Sequence, residues 1–270
     1  MNNIGKIAAR SHVSLTDIEQ AQRRIGNHVV RSPTRRSSSL SARCGVPVFL
    51  KLENRQTTGS FKLRGATNAV LALPADARAR GLVTVSTGNH GRALAHAASA
   101  QGVRCVVCLS GLVPANKVEA IRGLGADIRV VGHSQDEAEV EAARLSREQG
   151  LILVSPFDDP AIIAGQGTIG LEIVDDIPAA ELVLVPLSGG GLAAGIAAAV
   201  KALRPRTQVI GVSMERGAAM HASLAAGRPI LVEELPTLAD SLGGGIGLDN
   251  RYTFAMARDL LDDAVLVSED

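Results

Sequence analysis

Short apolar segments alternate with helical patterns along most of this chain, and the alternation restricts the folds that it can adopt. Apolar runs of strand length occupy residues 82–85, 103–109, 127–131 and 182–187, and a helical pattern follows each of them. Strands that are joined through helices pair in parallel and lie beneath those helices. The sequence therefore predicts an α/β fold with doubly wound parallel sheets.

Two of the helix starts show a capping box, in which Ser or Thr is followed three residues later by Glu. Thr16 with Glu19 is one such pair, and Ser134 with Glu137 is the other. The apolar residues after Thr16 share one helical face, as in a helix that packs on a core. We therefore expect helices to begin near residues 16 and 134.

Composition and charge argue against a nucleic-acid or membrane protein. The 28 basic and 27 acidic residues leave a formal net charge of +1, and only 2% of the residues are aromatic. A nucleic-acid surface needs a basic stripe or stacking platforms. Residues 182–200 are uncharged and long enough to span a bilayer, but Pro186 and a glycine run interrupt them. No signal peptide is visible at the N-terminus, so we expect a cytoplasmic location.

The three cysteines are Cys44, Cys105 and Cys108, an odd number that suits a reducing compartment. Cys105 and Cys108 have the spacing of a metal or redox pair. They lie within the apolar run 103–109, however, and residues three apart in a strand point to opposite faces of the sheet. We therefore expect both of them to be core residues.

Lys62 is a candidate nucleophile because of its place in the segment 51–66. This segment runs from a strand through a hydroxyl-rich turn into a helix, so that Lys62 falls in the first helical turn. A cation there opposes the helix dipole, which favours the neutral, nucleophilic amine. A solvated surface lysine is the alternative, and the segment alone leaves both open. The other lysines occupy a terminus, a strand, a polar helix start and a helix end: Lys6, Lys51, Lys117 and Lys201.

A glycine loop, Ser188-Gly-Gly-Gly191, lies between the apolar run 182–187 and a helix. Glycines let the backbone turn tightly, so that several N–H groups and the helix N-terminus face one anion. The sequence therefore predicts a phosphate site. It leaves the phosphate open, because glycines 189 and 191 with Ala194 also fit a relaxed dinucleotide fingerprint, with Glu215 as the ribose-binding acid.

A polar loop, Ser86-Thr-Gly-Asn-His-Gly91, joins the run 82–85 to the next helix. A polar loop at a helix N-terminus suits a carboxylate, and the amide of Asn89 can donate to a phenolate-like oxygen. Ser, Thr and Asn are also the residues that cap helices most often, so a well-capped helix explains the loop equally well.

Taken in order, four motifs resemble those of the fold-type II pyridoxal 5'-phosphate (PLP) enzymes, specifically the serine/threonine dehydratase branch. They are residues 59–66 (Gly-Ser-Phe-Lys-Leu-Arg-Gly-Ala), 86–91, 156–160 with 165–169, and 188–192 (Ser-Gly-Gly-Gly-Leu). The likeness extends over nearly the whole chain from about Ser14. Within the branch, the stretches 214–221 and 237–247 look like those of hydroxyectoine-utilisation dehydratases.

This resemblance implies a tryptophan synthase beta-like fold in two lobes and a homodimer. Residues 1–74 and 156–270 would form the large PLP-binding domain, and residues 75–155 the small domain. Lys62 would hold the cofactor as a Schiff base and move the α-proton of the substrate. The implied cofactor-binding residues are Phe61, Lys62, Asn89, Ser188, Gly189, Gly190, Gly191, Leu192 and Gly244. The implied substrate-binding residues are Ser86, Thr87, Gly88 and His90.

The implied reaction is β-elimination of water from a small amino-acid-type substrate: L-threonine, L-serine or a hydroxyectoine-derived compound. The cofactor accepts the electrons left by removal of the α-proton, and a simple amino acid would yield a 2-oxo acid and ammonia. Two other hypotheses stay open: a nicotinamide-dinucleotide oxidoreductase built on residues 188–194, and a PLP-binding chain with impaired catalysis.

Three departures from the family pattern qualify these expectations. Racemase relatives carry a serine where this chain has Thr87, whose methyl group disfavours racemisation. Relatives that bind a divalent cation use a Glu and, six residues later, an Asp, whereas Glu215 is followed by His221. We therefore predict no metal, since carboxylates suit magnesium and calcium better. The chain also ends at Asp270 without the family's partner for the pyridine nitrogen, so we expect a missing C-terminal part.

Overall fold

The computed structural model describes residues 12–86 and 88–270 of the chain. The helices of these residues are α1 (Leu15–Ile25), α2 (Ser38–Cys44), α3 (Lys62–Ala72), α4 (Ala75–Arg80), α5 (Asn89–Ser99), α6 (Ala115–Arg122), α7 (Gln135–Gln149), α8 (Pro160–Asp176), α9 (Gly191–Leu203), α10 (Ala219–Ala226) and α11 (Thr253–Leu260). The strands are β1 (Thr34–Arg36), β2 (Phe49–Lys51), β3 (Leu82–Val85), β4 (Cys105–Leu109), β5 (Asp127–Val130), β6 (Ile152–Leu153), β7 (Leu182–Pro186), β8 (Gln208–Met214) and β9 (Asp263–Val267).

Two parallel sheets organise the fold. The first has four strands in the order β5-β4-β3-β6, and the second has three in the order β7-β8-β9. Every strand pair in both sheets is parallel. The first sheet is covered on one face by α3, α5 and α6 and on the other by α7. This arrangement confirms the predicted α/β class with parallel sheets.

The second sheet packs one face against α8, α9, α10 and α11. Register places Leu182 and Leu184 of β7 on the opposite face, together with Val265 and Val267 of β9. These four side chains are exposed to solvent, Leu184 by 60%. Within the described residues, helices therefore cover this sheet on one side.

The two predicted capping boxes have different outcomes. The box at Ser134 and Glu137 is present at the start of α7. The box at Thr16 and Glu19 is wrong, because α1 begins one residue earlier, with Ser14 as its N-cap. Ser14 accepts from the backbone N–H of Asp17, and the Asp17 carboxylate accepts from the Ser14 backbone. The shorter aspartate thus closes the same reciprocal pair. The predicted apolar face is confirmed, since Ile18, Ala21 and Ile25 are buried.

The small antiparallel pair of β1 and β2 was not predicted. The segment 51–66 was expected to start from a strand, but no partner for that strand was foreseen, because Thr34-Arg-Arg36 has no apolar alternation. The helices α2, α4 and α11 were also missed, since all three are short and α2 and α4 have one buried residue each. In each case long-range packing, rather than local pattern, supports the element.

Cys105 and Cys108 lie on β4, as expected for core residues. Cys105 packs on the face beneath α5, and Cys108 packs on the opposite face beneath α7. Burial raises the pKa of the Cys105 thiol to about 12 and that of the Cys108 thiol to about 11. Both side chains are therefore protonated, apolar fillers of the sheet.

Glycines bring α3, α8 and α9 into backbone contact. A Cβ on Gly165 of α8 would lie 2.6 Å from the Cα of Gly65 on α3. On the far side of α8, a Cβ on Gly195 of α9 would lie 3.0 Å from the Cα of Gly167. Real side chains do not tolerate such distances, so each crossing requires glycine. The contacts fix α3 and α9 on either side of α8.

The uncharged stretch 182–200 is not one continuous helix, because it divides into β7, the glycine loop and α9. Across residues 12–86 and 88–270, the helices are too short or too polar to cross a membrane.

Gly165→Ala should lower the free energy of unfolding by about 1–3 kcal/mol, because the new methyl group overfills the crossing of α8 with α3. Urea denaturation measures this loss. Gly26→Ala is the matched control, since Gly26 has a right-handed φ of −52° at the end of α1. Its unfolding free energy should stay within about 0.5 kcal/mol of the parent chain. Equal effects of the two substitutions would contradict the proposed packing.

Candidate active site

Lys62 is the first residue of α3, as predicted. Its Nζ donates a hydrogen bond of 2.7 Å to the carbonyl of Pro156 and lies 5.4 Å from the centre of the Phe61 ring. Pro156 belongs to the loop that joins β6 to α8. The lysine thus connects the start of α3 with this loop.

Removal of the ammonium group from water lowers the pKa of Lys62 to about 8. Burial penalises the charged form of an amine, so that the neutral form becomes available near physiological pH. This observation decides against the solvated surface lysine that the sequence left open. A neutral amine at this position can act as a nucleophile or as a base.

The glycine loop 188–191 lies at the predicted junction of β7 with α9. Gly190 is the N-cap of α9 and has a φ of +87°, which favours glycine. A Cβ on Gly189 would lie 2.4 Å from the Phe157 ring. Within the described residues, the backbone N–H groups of 189–192 donate to no acceptor. Unpaired N–H groups at the start of a helix are suited to an anion.

The loop 155–159 contacts the starts of several helices. The sequence did not indicate this role. Asp159 caps α8 by accepting from the backbone of residues 161 and 162. Asp158 accepts from the backbone N–H groups of Arg251, Tyr252 and Thr253 at the start of α11, at 2.7–2.9 Å. The Asp-Asp-Pro sequence does signal the cap of α8, but nothing local indicates that Asp158 caps a helix far along the chain.

Several helix N-termini therefore converge on this loop. Pro156 accepts from Lys62 at the start of α3, and Phe157 contacts Gly191 at the start of α9. The two aspartates serve α8 and α11. Helix N-termini carry partial positive charge. The carboxylates offset it at α8 and α11, whereas α3 and α9 have no side-chain cap, and their starts make the region favourable for an anion such as a phosphate.

The polar loop 86–91 precedes α5, which begins at Asn89. Ser86 accepts from the backbone N–H of Gly88 at 3.3 Å, and the Asn89 side chain is exposed. Thr87 lies outside the described residues. The predicted placement of a polar loop at a helix N-terminus is confirmed, whereas the ligand of that loop stays a prediction.

His90 is 2% exposed, and neither ring nitrogen has a hydrogen-bond partner in the described part of the chain. Burial and the nearby charge of Lys62 lower the pKa of His90 to about 3. The adjacent carbonyl of Val154 is bonded instead to the hydroxyl of Thr84 at 2.8 Å. The imidazole is therefore neutral and cannot serve as a cationic acid at physiological pH.

The glycine run 243–245 leaves open space. Gly244 has a φ of +103°, and a Cβ added to it or to Gly245 would meet nothing within 4 Å. Glu215 follows β8 directly, and its backbone N–H donates to Val267, while His221 lies on α10. Among the described residues, no cluster of three or more metal-ligating side chains includes either of them.

Comparison with known families decides between the PLP hypothesis and the dinucleotide hypothesis. Residues 25–270 match the family model described as pyridoxal-phosphate dependent enzyme. The chain belongs to this family. Pyridoxal phosphate is thereby confirmed as the cofactor, and a phosphate site at the glycine loop needs no dinucleotide to explain it.

Individual relatives agree with the family. A Sinorhizobium fredii protein provisionally named threonine dehydratase is 61% identical over 96% of this chain and 78% of its own length. The L-threonine ammonia-lyase of Thermotoga maritima is 42% identical over 96% of the chain and 64% of its own length. The structure of maize serine racemase superposes with a TM-score of 0.90 at 35% identity, covering 95% of this chain and 77% of the racemase. The chain thus spans only part of each relative's length.

In the cofactor-free chain, Lys62 should react with a small amine-reactive reagent. The rate should rise with pH, and the midpoint of that rise should lie near pH 8. The reason is that only the neutral amine attacks. Reductive methylation across a pH series, with Lys62 quantified by mass spectrometry, measures the midpoint. A midpoint near 10.4, the ordinary pKa of lysine, would contradict the burial of the Lys62 amine.

Proposed function

We propose that the chain is a PLP-dependent lyase that eliminates water from a hydroxy amino acid such as L-threonine or L-serine, with release of ammonia and a 2-oxo acid. The observation that carries this proposal is the shielded amine of Lys62, which lies at the same loop as the phosphate-type glycine cradle. The names of the threonine ammonia-lyase relatives support the choice of reaction.

The residues fit the cofactor at several points. Lys62 supplies the amine for covalent attachment, and the free N–H groups of residues 189–192 suit the phosphate. Asn89 begins α5 with an exposed amide that can donate to the ring hydroxyl. Phe61 lies beside the Lys62 amine, and we include Gly244 in the cofactor site on the resemblance alone. When bound, the cofactor supplies the electron sink that α-proton removal requires.

The start of α5 is proposed to bind the substrate carboxylate. Backbone N–H groups of Gly88 to His90 lie at the N-terminus of this helix, where anions are favoured. We include the side chains of Ser86 and Thr87 in the site on the resemblance alone. Lys62, once free, would take the α-proton, since a base with a pKa near 8 is well matched to neutral pH.

Racemisation is the second candidate, because the chain superposes so closely on maize serine racemase. It is the less favoured one, since Thr87 has a methyl group where racemases carry serine.

A hydroxyectoine-derived compound belongs in the substrate panel on the likeness of residues 214–221 and 237–247. We also propose a cytoplasmic homodimer with a large domain of residues 1–74 and 156–270 and a small domain of residues 75–155, as the resemblance implies.

Addition of PLP followed by borohydride should label Lys62 and no other lysine. The visible absorbance of the bound cofactor should disappear on reduction, and Lys62→Ala should have neither the band nor the adduct. Mass spectrometry of the peptide containing residue 62 locates the label. Lys117→Ala, at an exposed helix position, is the control and should label as the parent chain does. A label on another lysine would contradict the proposed site.

L-Threonine or L-serine should yield ammonia and a 2-oxo acid, with turnover at least about 10²-fold lower for Lys62→Ala, because general base catalysis is lost. Coupled assays of ammonia and chiral chromatography of the recovered amino acid measure the two candidate reactions. D-Serine without ammonia would favour racemisation. Cofactor attachment without turnover of any member of the panel would favour the impaired chain.

A further inference from the structure

Arg64 is a charged residue that the proposed reaction does not use. It lies on α3, two residues after Lys62, and only 1% of it is exposed. It is the largest of the fully buried side chains of the described residues. A guanidinium in the interior loses its hydration, so its hydrogen bonds must compensate.

Two carboxylates bind the Arg64 guanidinium in paired geometry. Glu53 accepts from Nε and Nη2 at 2.9 and 2.8 Å. Glu172 of α8 accepts from Nη1 and Nη2 at 2.7 and 2.9 Å. Thr168 Oγ1 and the Val30 carbonyl accept as well, so that every N–H group has an acceptor. Burial disfavours the charge, but the bonds to Glu172 and Glu53 hold the pKa of Arg64 above its ordinary value.

Two further cations, Lys51 and Arg31, extend the network. Lys51 of β2 contacts Glu172 at 2.7 Å and Asp176 at 3.2 Å, and Arg31 binds Asp176 at 2.5 Å. The cations and carboxylates of this network are therefore nearly balanced, with Arg31 at its solvent-exposed end. The network ties α3 to α8, to β2 and to the turn that contains Glu53.

Arg64 and Lys62 leave the helix on opposite sides. Successive residues of an α-helix are rotated by about 100°, so two residues correspond to about 200°. Arg64 accordingly reaches α8 and Glu53, whereas Lys62 reaches the Pro156 carbonyl. The carboxylate contacts of Arg64 and the Pro156 contact of Lys62 therefore hold the first turn of α3 from two sides.

We propose that Arg64 is a positioning residue for Lys62: its carboxylate-bound guanidinium fixes the first turn of α3 and keeps water from the buried amine. The inference rests on the proposed function in that Lys62 is the reactive amine. It adds a residue that never touches cofactor or substrate and acts only through Lys62.

Few other ionisable groups face Lys62. His90 of α5 is close enough to respond to its charge but is neutral. On the loop 155–159, Asp158 and Asp159 direct their carboxylates to the starts of α11 and α8. Without Arg64, Glu53 would lose its bound guanidinium and Glu172 would keep only Lys51. The excess negative charge would then favour the proton on Lys62, while water would reach the amine. Both effects raise the pKa of Lys62.

The test is reductive methylation of Lys62 across a pH series in the full cofactor-free chain, for the parent and for three variants. Arg64→Met should raise the midpoint by at least about one unit, so that the rate at pH 7 falls about tenfold or more. Arg64→Lys, which keeps the charge but not the paired geometry, should fall between Arg64→Met and the parent.

Arg78→Met is the matched control. Arg78 binds the carbonyls of Leu71 and Leu73 at the other end of the same helix. Arg78→Met should lower the melting temperature but leave the pH midpoint of Lys62 methylation unchanged. If Arg64→Met also leaves the midpoint unchanged, or if Arg78→Met shifts it equally, the positioning role is overturned. Should Arg64→Met fail to fold, Arg64→Lys decides by the same comparison.

The labelling needs no cofactor, so it separates this inference from the proposed function. The pH midpoint of Lys62 methylation could depend on Arg64 while the chain forms no borohydride-stable cofactor adduct. That result would contradict the proposed function alone. A normal adduct with a midpoint that is indifferent to Arg64 would contradict the positioning role alone.

Discussion

Backbone contact between α3, α8 and α9 is the constraint on which the geometry of the site depends. Gly65 meets Gly165 on one side of α8, and Gly167 meets Gly195 on the other. Larger residues would push the helices apart to ordinary spacing. Because the crossings are so close, the start of α3, which carries Lys62, and the start of α9, which carries the phosphate-type cradle, both reach the loop that precedes α8.

That convergence gives the region its electrostatic character. Four helices direct their N-termini toward residues 155–159, through Lys62, Gly191 and the carboxylates of Asp158 and Asp159. The aspartate carboxylates offset the partial positive charge at α8 and α11, whereas the starts of α3 and α9 have no side-chain cap and keep theirs. A lysine whose pKa burial lowers to about 8 and unpaired N–H groups at the start of α9 match an anionic cofactor that is attached through an amine.

The parts of the site that could be predicted from the sequence are those encoded in adjacent residues. Lys62 in a first helical turn and the glycines at 188–191 follow from strand, turn and helix signals within a few residues of each other. Arg64 and Asp158 could not be assigned in this way. Their partners, Glu172 and the start of α11, lie about a hundred residues away, and only the folded chain brings these charges together. The capping box of α1 was predicted at Thr16 instead of Ser14, because the pattern required Glu at the third position, and Asp17 fills that position as well.

The division of the chain between its two sheets has a consequence for the order of folding. The four-stranded sheet is built from one continuous segment, so its strands can pair as soon as that segment is synthesised. In contrast, α1 and α3 precede this segment but pack on α8 and α9, which follow it. During synthesis the apolar face of α1 and the side of α3 that meets α8 must wait for partners that emerge later, although the other side of α3 can already pack on the first sheet. The helix that carries Lys62 is therefore made early, but its glycine crossing with α8 forms only after the first sheet has been synthesised.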